Sequence, residues 1–446
     1  MSGQTSRPRL LTLSAPTSAA LERATDELAT RLESLGDTGF TELPELPELP
    51  ELPDAQVPVG SVRRAIAAGT AAEAARRLRK RDPRRVFTGG PGTRTSRVFL
   101  FSGVGDQYPR LGAGLYRRLP EFRRELDRCF GFLAAEHDLD LRAVLFPPET
   151  SAGPGDGRPD LAALFDQRET TQEIHRTVVA QPLMFTLQYA LARALGTLGA
   201  QPSAVAGYSV GEYAAACVAG VFPLEDALRL VTRRAQLVDE LPTGAMLAVV
   251  AGPGAVAPYV GGQVSLAALN GPEQSVLSGP VEAIEKTARR LTAAGVACRR
   301  LATSHAFHST MTEPVTGPLE ELLSTLPLRP PDIPVLSNVT GTWLREEEAT
   351  SPAYWARHLS RTIRFADGVA ELWRLADPLL VELGPGQTLS RLALQHPSRP
   401  ADAAAPVVQT LPGQFESRTE QELLLAAVGQ LWTAGLEIDW HGLRQE

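Results

Sequence analysis

Gly207-Tyr208-Ser209-Val210-Gly211 has the GxSxG spacing of a serine nucleophile. The apolar residues 203–206 before it and the alanine-rich residues 212–219 after it predict a strand, a sharp turn and a helix, the context that holds such a serine exposed in a strained elbow. Flanking glycines suit that elbow because side chains there would meet the neighbouring strand and helix. At the helix N-terminus the backbone N–H of Val210 is placed to meet a developing oxyanion, and the helix dipole favours negative charge. A serine nucleophile needs a base. Of seven histidines, two stand together in Ser304-His305-Ala306-Phe307-His308, after the serine in chain order. As a metal pair at i, i+3 they lack a nearby carboxylate or cysteine, so no metal site is expected. Spacing alone does not choose the base from a core histidine.

The elements that must position these residues are legible in outline. Residues 98–101, Val-Phe-Leu-Phe, read as a buried strand running into the glycine loop Ser102-Gly103-Val104-Gly105-Asp106. A dinucleotide fingerprint would need a third glycine where Tyr108 stands. Between elbow and histidine pair, strands at 246–251, 264–269, 275–277 and 297–301 alternate with helical pieces, the second of them a helix at 281–294, in a β-α-β-β-α-β order that predicts a ferredoxin-like insertion. The first ninety residues read as a small α/β unit. It has a strand around Leu10, Leu11 and Leu13, a helix capped by Thr17 or Ser18, a strand at 61–68 and a helix at 70–81. Four Glu-Leu-Pro copies at 42–53 predict an extended spacer, because proline at every third residue permits neither helix nor central strand. Arg76, Arg77, Arg79, Lys80, Arg81, Arg84 and Arg85 form a basic stretch that reads as a solvated face or a docking patch for an acidic partner.

At 446 residues the chain exceeds the roughly 250–300 at which single cores stop growing, so two or three domains are expected. With 43% hydrophobic and 21% charged residues it reads as soluble and globular. No run approaches the roughly 18 apolar residues of a membrane span, and no secretory signal is recognisable, so the expected setting is the cytoplasm. Three cysteines, Cys129, Cys217 and Cys298, make no disulfide framework or thiolate zinc site. Lys80 and Lys286 are the only lysines, which excludes a GxxxxGK[ST] phosphate loop and leaves little for Schiff-base chemistry. A net charge of −7 argues against nucleic acid as the main partner.

Together, FLFSGVGDQYPRLGAGLY, AVAGYSVGEYAAACVAGVFPLEDALRLVTRRAQL, SHAFHS, SNVTG and VELGPGQTLS resemble the acyltransferase family of polyketide and fatty acid synthases, the malonyl-CoA:acyl carrier protein transacylases. Residues 9–90 resemble the linker domain between ketosynthase and acyltransferase, and LLLAAVGQLWTAGLEIDW the segment after the acyltransferase. The resemblance implies an α/β fold. Residues 1–93 would form an α/β linker domain, 94–240 and 302–400 an α/β-hydrolase-like large subdomain, 241–301 a ferredoxin-like small subdomain, and 401–446 a C-terminal segment. It also implies roles: Ser209 as nucleophile, His308 as general base, and backbone N–H groups of Val104 and Val210 as oxyanion hole. Arg234 would pair with the free carboxylate of the acyl group, a task suited to a planar guanidinium. Gln181, Tyr208, His305 and Phe307 would line the substrate pocket, with Asn338 and Gln387 as candidates for orienting the histidine. His305-Ala306-Phe307-His308, and Val210 after the serine, resemble the malonyl-selecting version. Tyr208, Val104 and Ser102 depart from the family's usual histidine, glutamine and proline.

The implied activity is that of a discrete polyketide synthase acyltransferase. It would move malonyl from malonyl-CoA, through an acyl-serine, to the phosphopantetheine thiol of an acyl carrier protein in trans, with no metal or redox cofactor. A ketosynthase, through the linker domain, is the second implied partner; nucleic acid and membrane are not. The alternatives are an editing acyl-thioester hydrolase or transfer of another acyl group to a small-molecule hydroxyl, neither of which has a use for Arg234, and a non-catalytic scaffold.

Overall fold

A computed structural model describes residues 8–42, 61–90, 96–147, 172–401 and 407–443. The Glu-Leu-Pro copies fall almost wholly outside these residues, as does the expected boundary at 93.

Four consecutive fully buried residues, Val98, Phe99, Leu100 and Phe101, cannot lie on a sheet with one wet face, and they need parallel neighbours covered on both sides. The chain supplies them. After β1 (Arg9–Ala15), β2 (Val62–Ala68) and β3 (Val86–Gly89), strand β4 (Arg97–Phe101) lies between β5 (Ala204–Gly207) and β11 (Leu379–Pro385). With β10 (Val335–Leu336) and β12 (Val407–Leu411) they form a five-stranded parallel sheet ordered β10-β5-β4-β11-β12. Helices Pro120–His137, Thr177–Thr197 and Leu224–Asp239 carry the adjoining core, the middle one buried almost throughout.

Strands β6 (Gly244–Val249), β7 (Ser265–Gly271), β8 (Gln274–Pro280) and β9 (Cys298–Arg300) form a separate antiparallel sheet ordered β7-β8-β6-β9 with its own small core. Helix Val281–Ala293 lies close to the expected span. The first helix of this unit is much shorter, Pro253–Val256 followed by a 3-10 turn, because Pro258 cannot continue the hydrogen-bonded ladder.

The N-terminal strands form an antiparallel sheet ordered β1-β2-β3, with helices Ser18–Glu42 and Ala71–Lys80 packed together on it. Two expectations change here. The basic stretch is largely consumed internally: Arg77 pairs with Glu73 and Glu422, Arg79 with Asp26 and Glu33, and Arg81 with Glu22 and Asp26. Of the residues without such a pair, Arg76, Lys80 and Arg84 are exposed. The boundary at residue 400 also moves. Strand β12 belongs to the parallel sheet, while helix Glu420–Thr433 crosses back onto β2, where Arg63 donates to the Trp432 carbonyl at 2.8 Å and stacks on the Trp432 ring. Among the described residues no helix is long and apolar enough to cross a membrane.

Candidate active site

Strand β5 ends at Gly207, and helix Val210–Val218 starts one residue after Ser209, so the chain must reverse within two residues. Ser209 takes φ 55° and ψ −118°, a conformation costing about 1–3 kcal/mol that its surroundings must hold in place. Glycine is required on both sides: a Cβ on Gly207 would lie 2.1 Å from the Glu212 nitrogen, and one on Gly211 2.2 Å from the Phe101 carbonyl oxygen. Gly211→Ala is therefore expected to destabilise the fold by about 3 kcal/mol or more, read as a fall in the urea midpoint. Asn338 holds the turn from the side, its Oδ1 accepting from the Ser209 N–H at 2.8 Å and its Nδ2 donating to the Gly207 carbonyl at 2.7 Å.

His308, which also has a positive φ, places Nε2 2.8 Å from Ser209 Oγ. Its Nδ1 lies 2.9 Å from the Arg361 carbonyl. A carbonyl can only accept, so Nδ1 carries the proton and Nε2 offers its lone pair to the serine hydroxyl. Of the two histidines, His308 is the one beside the serine hydroxyl, and His305 turns to Ser304 Oγ instead. The geometry also corrects the orienting residues. Gln387 bonds to Gln409 and lines a separate cavity of about 1230 Å³ at the seam between the N-terminal sheet and β12, with Arg84, Arg85, Arg391 and Arg418 but none of the catalytic pair. Asn338 acts on the nucleophile's backbone, not on the imidazole.

Burial, then the neighbouring His358 and the Arg234 charge, hold His308 well below the usual imidazole range. The base must be neutral to accept a proton, so acylation is expected to persist at full rate below pH 6.5 and to fail only in more acidic solution. The pH dependence of kcat/KM for acyl loading checks this.

A Cβ on Gly103 would come within 3.8 Å of the Ser209 Cβ, so the loop after β4, in which Val104 follows Gly103, lies against the serine. Val210 is the first residue of its helix, where a backbone N–H has no intrahelical acceptor. Arg234, on helix Leu224–Asp239, is 1% exposed. Its Nη1 donates to Gln181 Oε1 and its guanidinium sits 5.3 Å from the Tyr213 ring centroid, while Nε and Nη2 have no hydrogen-bond partner among the described residues. Tyr208 donates to Asn270 Oδ1 at 3.0 Å, tying the elbow to β7, and packs edge-on to Phe365. Burial pushes its phenol up to about 12. Phe307 is nearly buried and meets His305 edge to face.

Sequence reasoning missed four participants. The Arg361 contact uses a backbone carbonyl, for which no residue type is a signal. The buried Glu212 and His358 and the half-buried Tyr354 form a cluster behind the pair. Glu212 directly follows Gly211, yet it reads as an ordinary acid in a helix's first turn.

Residues 98–435 match the family described as the acyl transferase domain. A phenolphthiocerol/phthiocerol polyketide synthase protein of Mycobacterium tuberculosis is 38% identical over 343 residues, which is 77% of this chain and 22% of that protein. The chain thus spans about a fifth of that relative's length. Among solved structures, the acyl transferase domain of ZmaA matches with a TM-score of 0.80 at 32% identity, covering 99% of this chain and 97% of that one. The acyl transferase domain of SpnD, in complex with 2-(pent-4-yn-1-yl)malonyl, matches with a TM-score of 0.79 at 32% identity, covering 99% and 98%. With a match that takes in Ser209, Arg234, His308 and the returning C-terminal helix, the chain belongs to the acyl transferase family of polyketide synthase domains.

Proposed function

We propose that this acyltransferase loads malonyl from malonyl-CoA onto Ser209 and passes it to the phosphopantetheine thiol of an acyl carrier protein. The observation that carries the substrate choice is Arg234. A buried guanidinium with Nε and Nη2 unsatisfied is costly, and a ligand carboxylate supplies the missing acceptors bidentately. The substituted malonyl group described with SpnD has the same carboxylate. Discrimination against an added methyl rests on the Phe307 side of the pocket and is worth about 1–3 kcal/mol.

In the first half-reaction, His308 Nε2 takes the Ser209 proton as Oγ attacks the thioester carbonyl. The oxyanion meets the N–H groups of Val104 and Val210, CoA thiolate leaves with the proton returned by His308, and an acyl-serine ester remains. In the second, His308 deprotonates the carrier thiol, which attacks the ester through a second tetrahedral intermediate and restores Ser209. Each residue invoked belongs to the chain itself, and the reaction as written uses no metal or redox cofactor. The same proposal reads the parallel sheet as an α/β-hydrolase-like large subdomain and the β7-β8-β6-β9 unit as a ferredoxin-like insertion. It reads the N-terminal sheet as a linker domain facing a ketosynthase, and the working compartment as the cytoplasm.

Intact-protein mass after brief exposure to malonyl-CoA, methylmalonyl-CoA and acetyl-CoA in competition tests the proposal. A malonyl adduct on Ser209 that outcompetes the others is expected. Rapid CoA release with no adduct would mean a hydrolase, and a different adduct would mean a different acyl group. Adding a separately purified holo-carrier protein should then discharge the adduct, which tests delivery in trans.

A further inference from the structure

The reaction gives no task to Glu212, although it lies next to the elbow. Glu212 is fully buried in the first turn of the helix that Ser209 opens, and three donors from other segments converge on it. The Asn338 backbone N–H reaches Oε2 at 2.7 Å, His358 Nε2 reaches the same oxygen at 3.0 Å, and the Tyr354 hydroxyl reaches Oε1 at 2.7 Å. Such a set of donors satisfies both oxygens of a buried carboxyl group.

We propose that Glu212 is the positioning residue for both members of the catalytic pair. One arm runs through Asn338, whose backbone Glu212 holds and whose side chain grips the Ser209 N–H and the Gly207 carbonyl. The other runs through His358. That residue opens the short turn His358–Ser360, and the next residue, Arg361, supplies the carbonyl on His308 Nδ1. The His358 ring also stands edge to face against His308, with centroids 5.8 Å apart. Among the described residues no carboxylate bonds to His308 directly, so the orientation that an acid gives in a triad is here delivered through backbone, from a carboxylate one residue removed. The inference rests on Ser209 and His308 being the reacting pair, and not on the identity of the acyl group.

Two substitutions separate reach from charge. Glu212→Gln keeps the length: its oxygen accepts from Asn338 and His358, and its amide donates to the Tyr354 oxygen, whose hydroxyl turns to Ser337 at 2.6 Å. Glu212→Asp keeps the charge but is one methylene short of spanning both arms. Reactivity is read as the rate at which a fluorophosphonate labels Ser209, which needs no thioester, and as kcat and KM for malonyl loading, with thermal melting to count folded protein. Glu212→Asp is expected to label about 100-fold more slowly and to lose kcat with KM unchanged, while Glu212→Gln stays within about tenfold of the parent. Labelling of Glu212→Asp within about threefold of the parent, the range of an inconsequential substitution, overturns the proposal. So does a Gln variant that falls as far as the Asp variant. If Glu212→Asp does not fold, Asn338→Ala and His358→Ala cut one arm each, and unchanged labelling in both overturns it equally. A parent protein that labels rapidly yet accepts no malonyl group would sink the substrate reading and leave the role of Glu212 still measurable.

Discussion

Ser209→Ala protein incubated with malonyl-CoA will show its unmodified mass, and its acyl transfer rate will fall by about 10,000-fold or more, the scale on which removal of a catalytic serine acts. The reason is geometric. Oγ is the only atom of the elbow within hydrogen-bond reach of His308 Nε2 among the described contacts, and the ring is already committed to that tautomer by the Arg361 carbonyl. Alanine fills less space, Ser209 makes no side-chain bond that caps the helix, and Asn338 grips the backbone, so the elbow should survive and thermal melting should be nearly unchanged. Full product formation by a folded Ser209→Ala protein would end the nucleophile assignment.

The second large effect falls on Arg234. Replacing it by alanine should lower kcat/KM for malonyl-CoA by about 100- to 1,000-fold, because a malonyl carboxylate would then enter a dry pocket without its cation, a loss of the kind that costs about 3–5 kcal/mol. Loading from acetyl-CoA, which brings no carboxylate, should be spared, and the ratio of the two adducts in a competition mass measurement reads the change directly. A second signature has the opposite sign of a simple loss. The Arg234 charge disfavours the His308 imidazolium, so its removal should let the base titrate at higher pH and move the acid limb of the rate profile upward. Equal losses for malonyl and acetyl groups would assign Arg234 to the scaffold instead of the substrate.

What could be read from sequence was what is local. The elbow needs only a strand, two glycines and a helix, all within residues 203–219, and the histidine segment is equally short. The relations that escaped are distant or faceless. Gln387 was expected near the histidine because its turn carries a family motif, yet the β11–β12 pairing draws its amide to Gln409. The partner of His308 is a peptide carbonyl, which any residue could contribute. Arg77 and Arg79 read as a surface run because, Glu73 apart, the acids that pair with them, Glu422, Asp26 and Glu33, lie far away along the chain. Strand β12 is five residues long and follows an alanine- and proline-rich stretch that suggests a boundary, so only the sheet itself reveals that it continues the fold.

The return of the C-terminal helix onto β2 bears on how such a unit could be moved between larger proteins. Glu420 grips the Gly112 and Gly114 N–H groups beside the catalytic sheet while Trp432 holds Arg63 of the N-terminal sheet and Glu422 holds Arg77 of the helix packed on it, so the two units are buckled together by one helix. A graft cut at residue 400 would strip β11 of its neighbour, leaving a bare sheet edge of the kind that recruits foreign strands, and would uncover the apolar side of β2. The natural unit of exchange is therefore the whole belt, from β1 through the end of helix Glu420–Thr433, with the chemistry travelling inside it.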